Sequence, residues 1–299
     1  MVKVSIVIPA YNEQDRIVSC LTNAVCQSIA PYEVIVVDNK STDRTCELVQ
    51  RFIDQHGDSS CVKLVHQNNE QGLVPTRNFG FSVAKGDVYG RIDADCMLKP
   101  DWVKVVTGIF GHDPSVMGAT GPAVYYDMPA KHLGLHGDNK VRKVTYRADN
   151  DKVLLFGSNM ALRASAWEKI KDKVCRDKPD IMHEDIDISL HLLDQGLKTV
   201  YCERMITGVS ARRMDTPFSS FRKYMQRFQN TFDAHPNHTR SHDTERTLYA
   251  LYPMLRAVYP VYQNYLVHKN VNPAQRIWSK EQRTLETNDA AEAVGKEKQ

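Results

Sequence analysis

The chain of 299 residues has no uncharged stretch of about 18 residues, so no segment is expected to span a membrane. It has no C-x-x-C pair either. Its seven cysteines (Cys20, Cys26, Cys46, Cys61, Cys96, Cys175 and Cys202) are odd in number and irregularly spaced. That pattern argues against a disulfide framework or a thiolate zinc site and fits reduced thiols in the cytoplasm. No G-x-G-x-x-G follows the first strand-like run, which disfavours a dinucleotide oxidoreductase. At that position Pro9-Ala10-Tyr11-Asn12-Glu13 contains no glycine, which counts against a nucleotidyltransferase with a glycine-rich basic loop. Excess charge is small: a net +3 does not point to a nucleic-acid partner. The N-terminus enters the run Val4 to Ile8 directly, without the layout of a secretion signal.

What is present is ordinary in amount and specific in order. The apolar share of 42% and charged share of 25% suit a globular chain with a sizeable core. Short β-branched runs alternate with helical patterns. Strands are expected at Val4–Ile8, Glu33–Val37, Val62–Val65 and Val88–Ile92. Helices are expected from Glu13 to Gln27, from a Ser41 or Thr42 cap to about Gln55, and from Gly72 to Lys85 with Pro75 in the first turn. Such repetition marks a mostly parallel sheet flanked by helices, an α/β fold. Further on, Met117–Pro122, Asn159–Leu162 and Lys198–Cys202 read as strands. Helices are expected after Ala164, over Glu184–Gln195 with Gly196 closing it, and over Phe218–Asp233 and Thr244–Val267. Residues 127–151 are polar and carry no clear period.

In parallel sheets, ligands bind beyond the carboxyl ends of the strands. Asp38 ends the second strand and Asp93-Ala94-Asp95 the fourth, so two strands deliver carboxylates to one rim. A D-x-D pair can share Mg2+ or Mn2+, which prefer oxygen ligands and complete their shell with substrate phosphates. Read alone, Asp pairs in loops occur by chance, and Glu184-Asp185 complements a helix dipole equally well.

The ordered set is more telling. S-I-V-I-P-A-Y-N-E (5–13) is followed by V-I-V-V-D-N-K-S-T-D-R-T (34–45) and by G-L-V-P-T-R-N-F-G-F-S-V-A-K-G-D (72–87), which runs into R-I-D-A-D. G-S-N-M-A-L-R (157–163) and H-E-D-I-D-I-S-L (183–190) come later. Over about residues 3–215 this set resembles the family-2 glycosyltransferases, inverting enzymes of the GT-A fold. The resemblance implies a GT-A domain over 1–215, with a donor half to about 122 and an acceptor half over 123–215. A helical extension over 216–279 and a disordered charged tail over 280–299 would follow.

It also implies roles. Pro9, Tyr11, Glu13, Asp38, Arg77 and Asp93 would surround the donor nucleotide, and Asp93 and Asp95 the Mn2+ or Mg2+ ion. Asp185 would be the catalytic base, with Asp187 as a rival. Gly157, Ser158, Asn159 and Glu184 would flank the sugar on the acceptor side. Arg212, Arg213 and Arg227 would reach the diphosphate. The donor would be a nucleotide-diphosphate sugar, UDP-linked by preference, and the acceptor a glycan, a lipid-linked sugar or a small molecule, in bacterial surface-glycan synthesis. A non-catalytic nucleotide-sugar binding module is the alternative outside enzymes. One departure stands out: the second strand of the family commonly ends in two acids, and here Asn39 and Lys40 follow Asp38.

Three features stay open at this level. His183 reads as a surface histidine, or as a group near metal or acceptor. Between Glu203 and Arg227 six basic residues face two acids, a solvated helix face or a patch for phosphates or an anionic membrane. The tyrosines at 249, 252, 259, 262 and 265 suit a helix packed on the protein's own core or on a second copy, or one lying at a membrane interface. The chain is accordingly expected in the cytoplasm, with the inner face of the cell membrane as the alternative.

Overall fold

A run of β-branched residues without polar alternation can be stable only if both faces are covered, and the first two strands meet that condition at every position. The computed structural model describes residues 1–57, 61–148, 152–176, 180–238 and 243–279. The expected tail over 280–299 lies outside them. The first half runs β1 (Val4–Ala10), α1 (Ile17–Val25), β2 (Glu33–Asp38), α2 (Thr45–His56), β3 (Val62–His66), α3 (Leu73–Val83) and β4 (Val88–Arg91). Then come β5 (Met97–Leu98), α4 (Trp102–His112), β6 (Val116–Thr120), β7 (Ala123–Tyr125) and α5 (Lys131–Ala148). The second half holds β8 (Met160–Arg163), α6 (Ala164–Ile170), α7 (Glu184–Asp194), β9 (Lys198–Tyr201) and β10 (Thr207–Val209). A 3-10 turn at Arg212–Asp215 leads to α8 (Phe218–Asp233), α9 (Asp243–His268) and α10 (Pro273–Arg276).

Among the described residues the main sheet has seven strands in the order β3-β2-β1-β4-β8-β6-β9. β1, β2, β3 and β4 are mutually parallel, and β8 runs antiparallel to both of its neighbours. A second sheet, β5-β10-β7, stands beside it. The strand order reverses between β2-β1 and β1-β4, so the loops after Ala10 and Arg91 leave a crevice between them. Close approach is built in at Gly80, where a Cβ would lie 2.3 Å from Val7 Cγ1, so α3 seats directly on β1.

Several local expectations are corrected. α1 begins at Ile17 rather than Glu13, because residues 12–14 are held by the loop after β2. Asn12 Oδ1 accepts from the Thr42 N–H at 2.8 Å, the Asn12 N–H donates to Ser41 Oγ at 3.0 Å, and the Glu13 N–H donates to Thr45 Oγ1 at 2.8 Å. Ser41 and Thr42 therefore clasp that loop and do not cap α2, which starts at Thr45 after Asp43 Oδ1 accepts the Thr45 N–H at 2.9 Å. Residues 131–148, polar and without period, form α5. His183 is buried, not at the surface: its ring lies 4.1 Å from that of Phe228 and 4.8 Å from that of Tyr224, and burial pushes its pKa down to about 4. α9 packs on the protein's own core through Tyr252, Tyr259 and Leu266, while Leu251, Met254 and Val261 on its outer face are exposed. Tyr252 stacks on Phe221 at 3.7 Å and donates its hydroxyl to the Thr216 carbonyl at 2.6 Å. Among the described residues no helix is long and apolar enough to cross a membrane.

Glu33, the first residue of β2, ties the sheet together. Its carboxylate accepts from Ser5 Oγ, Lys63 Nζ and the Lys85 N–H, each at 2.7 Å. Burial alone would raise its pKa, but these three donors outweigh it and hold the group below the usual carboxylate range. Glu33→Ala leaves them without their acceptor, and urea unfolding should show a loss of about 3 kcal/mol at neutral pH. Because folding depresses this pKa, the stabilisation is complete above the unfolded value of about 4.3 and disappears as pH falls through the folded one. The two proteins should therefore converge in stability in acid, and a gap independent of pH would contradict this account.

Candidate active site

A cleft of about 480 Å3 opens at the crevice beyond the carboxyl ends of β1 and β4. That volume suits a small-molecule site. One wall is the end of β1 and the loop after it (Pro9, Tyr11, Glu13), the floor is Asp93 to Asp95, and the far wall is Gly157, Ser158, Glu184 and Asp185. Arg212, Arg213 and Arg227 close the remaining side, with Tyr224 and Phe156. The expected site residues thus converge, with three exceptions.

Arg77 does not border the cleft. It is 1% exposed, donates from Nη1 to the Glu184 carbonyl at 3.2 Å and from Nε to Asn78 Oδ1 at 3.0 Å, and sits over the Trp167 ring. Its guanidinium holds the start of α7 from behind. Asn159 is wholly buried: Oδ1 accepts from Trp102 Nε1 at 2.8 Å, and Nδ2 donates to the carbonyls of Pro122 and Met205. Asp38 is buried beside the Ser41 N–H and His66, outside the lining. Asn39 takes the place at the cleft wall instead. Its amide donates to the carbonyls of Gln67 (2.7 Å) and Glu70 (3.0 Å) and accepts from the Gly72 N–H (2.7 Å). A carboxylate cannot donate, so the amide at 39 fixes the loop entering α3 where a second acid could not.

The residue at the centre is one the sequence reading passed over. Arg91, the last of β4, is 2% exposed, and its Nη2 lies 2.6 Å from Asp93 Oδ1 and 3.3 Å from Glu184 Oε1. Burial works against its charge, but Asp93, Glu184 and Asp185 together outweigh burial and hold it protonated. The arginine inside the otherwise apolar run V-Y-G-R-I was the available signal. Asp93 Oδ2 accepts from Ser158 Oγ at 2.5 Å, so both its oxygens are engaged. Asp185 Oδ2 accepts from the Gly157 N–H at 2.7 Å, which fixes the carboxylate facing the cleft. Glu184 is buried, and that raises its pKa despite Arg91 beside it. Asp187 points away from the cleft, which removes it as a rival to Asp185 at this site.

Asp95 is the strained member. Burial and then the neighbouring Asp93 push its pKa up to about 7, while Arg212 works in the opposite direction. Arg212 Nε lies 3.0 Å from Asp95 Oδ2, and Nη1 3.0 Å from Glu13 Oε2. The cleft therefore gathers five carboxylates (Glu13, Asp93, Asp95, Glu184, Asp185) against four guanidiniums (Arg91, Arg212, Arg213, Arg227). Asp93, Asp95 and Cys96 place ligand atoms within 4.8 Å of one another. The Cys96 thiol is buried and donates to the Ser158 carbonyl at 3.5 Å, which leaves the two carboxylates as an all-oxygen donor set. Oxygen donors with excess negative charge fit Mn2+ or Mg2+.

The profile described as "Glycosyl transferase family 2" matches residues 5–170, and one described as "Glycosyl transferase family group 2" matches residues 91–269. The glycosyltransferase GlyG of Streptococcus pneumoniae is 32% identical over 103 residues, which are 34% of this chain and 33% of that protein. The chain thus spans about a third of that curated relative. A mannosyltransferase from Pyrobaculum calidifontis, solved in complex with GDP-Man and Mn2+, superposes with a TM-score of 0.63 over 98% of this chain and 81% of its own, at 18% identity. Glucosyl-3-phosphoglycerate synthase from Mycobacterium tuberculosis, solved with Mn2+, UDP and glucosyl-3-phosphoglycerate, gives 0.55 over 80% and 82%, at 17% identity. At such identities these likenesses speak for the fold alone, which is GT-A.

Gly157 offers a direct test of the packing around Arg91. A Cβ there would meet Arg91 Nη1 at 2.0 Å and Asp185 Oδ2 at 3.1 Å. Gly157→Ala should displace the guanidinium from its acids and cost about 2–4 kcal/mol in thermal or chemical unfolding. Wild-type stability in this variant would mean that Arg91 is not confined as described.

Proposed function

The chain belongs to glycosyl transferase family 2, and on that footing we propose that it is a metal-dependent, inverting transferase moving a sugar from a nucleotide-diphosphate donor to an acceptor hydroxyl. The observation that carries the reading is the convergence in one cleft of Asp93, Asp95 and Asp185, delivered by β4 and α7, with three arginines opposite. The donor's nucleoside would lie along Pro9, Tyr11 and Asn39, with its diphosphate toward Arg212 and Arg213. Mn2+ or Mg2+, when bound, would neutralise the charge growing on the departing diphosphate. Asp95 is the freer ligand for it, since Arg91 and Ser158 engage Asp93.

Asp185 would take the proton of the acceptor hydroxyl. As that oxygen bonds to the anomeric carbon, the bond from that carbon to the diphosphate oxygen breaks, and the nucleoside diphosphate leaves on the opposite face. The Gly157 N–H on Oδ2 and the Ile186 N–H on Oδ1 would hold the base in place, and each carboxylate oxygen keeps a second lone pair for the acceptor proton. Tyr224 and Phe156 line the cleft, each with a guanidinium (Arg213 and Arg142) over one ring face, and the other face would be the one offered to a sugar ring on the acceptor side. We take the acceptor to be a glycan or lipid-linked sugar of bacterial surface assembly. UDP- and GDP-sugars assayed side by side for Mn2+-dependent hydrolysis and transfer decide the nucleotide.

Asp185→Asn should lower transfer by about 10²–10⁴-fold while donor binding by calorimetry is unchanged. Near-normal transfer in that variant would overturn the assignment of the base. A pH dependence follows from Asp95. Below about 7 its carboxyl carries a proton that an incoming ion must displace. Mn2+ affinity measured without nucleotide should therefore climb with pH up to about 7 and level off above it. Asp95→Asn should abolish this climb, and an unchanged pH profile in the variant would place the ion elsewhere.

A further inference from the structure

A second group of ligating side chains lies behind the cleft, away from the acids of the transfer site. Asp187 and His191 are one turn apart on α7 and so share a face. His235 comes from the turn that ends α8, where its N–H donates to the Phe232 carbonyl at 3.0 Å. Its Nε2 is 2.9 Å from Asp187 Oδ1, and His191 Nε2 is 3.6 Å from the same oxygen. One ligand atom from each of the three residues falls within 4.8 Å of the others. Asp187 is 1% and His235 8% exposed, yet the group opens on a pocket of about 380 Å3 that His238 and Asp194 also border.

We propose that Asp187, His191 and His235 form a site for a divalent transition-metal ion of the Zn2+ class, distinct from the all-oxygen site at Asp95. Four ligands around Zn2+ with bonds of about 2.0–2.1 Å stand about 3.3 Å apart, and the observed 2.9 and 3.6 Å bracket that spacing. Two imidazole nitrogens and one carboxylate oxygen are a borderline donor set, which suits Zn2+ and disfavours Mg2+. The outer shell is in place: Asp187 Oδ2 accepts the Cys175 N–H at 2.8 Å, which turns Oδ1 toward the histidines. The fourth position faces the pocket, open to water or to a rotation of His238, whose Nε2 now rests on Asp194 at 2.8 Å. The ion would pin the first turns of α7, which carries Glu184 and Asp185, to the end of α8, which carries Tyr224 and Arg227. It would thus hold two walls of the cleft in register from outside.

The test uses the full chain, stripped with a chelator and titrated with Co2+ and Zn2+, followed by the visible absorption of Co2+ and by calorimetry. Asp95→Asn should still take up one equivalent and still gain melting temperature from Zn2+. His235→Gln and His191→Gln should lose that equivalent and that gain, with circular dichroism unchanged. Should His235→Gln fail to fold, His191→Gln, nearer the surface, carries the measurement. Uptake in the histidine variants equal to wild type would overturn the proposal. So would the absence of any uptake in folded Asp95→Asn, which would leave the three residues as a hydrogen-bonded cluster.

Discussion

The buried positive charge of Arg91 is the constraint around which the cleft is organised. A guanidinium 2% exposed at the end of a central strand persists only with acids beside it, and those acids come from distant stretches of the chain. Asp93 follows it on the same strand end, and Glu184 arrives on α7. Holding both, Arg91 sets the distance between the D-x-D segment and the helix that carries Asp185. Gly157 has no side chain because that guanidinium occupies the space one would need. The site is thus a piece of core built from paired charges that opens on solvent at one end.

The loops around it are fixed by polar side chains acting on backbone. Ser41, Thr42 and Thr45 grip the segment after β1, and Asn39 grips the segment before α3. In the run D-N-K-S-T-D-R-T these residues look like helix-capping chemistry, and part of it is. Most of it holds two loops to one another, so the wall containing Tyr11 and Glu13 has a defined position before any ligand arrives.

Much of this was legible in the sequence, and the reasons it was or was not are physical. The β-branched runs of β1 and β2 read as strands buried on both faces, and the carboxylates at the ends of β2 and β4 follow from parallel topology. The small sheet of Met97–Leu98, Ala123–Tyr125 and Thr207–Val209 was not legible, because strands of two or three residues have no period. α5 was missed because its polar residues show no apolar stripe. Arg77 and Asn159 sit in motifs that border the cleft, but whether such a side chain faces in or out depends on partners far along the chain: Glu184 for one, Trp102 and Met205 for the other. Arg91 and the histidines behind α7 were passed over for the same reason, since what makes them a group is a distance in space.

The strand order also bears on how the protein comes off the ribosome. β8 lies between β4 and β6, yet both of those precede it in the chain. Until residues 160–163 emerge, β4 presents an unpaired, buried-type edge, and β6 has nothing to join it to the parallel half. An exposed apolar edge is a template for association with other nascent chains. The four parallel strands of the first hundred or so residues therefore have an open side that the later β8 covers, and a chain halted before residue 160 would keep that edge bare.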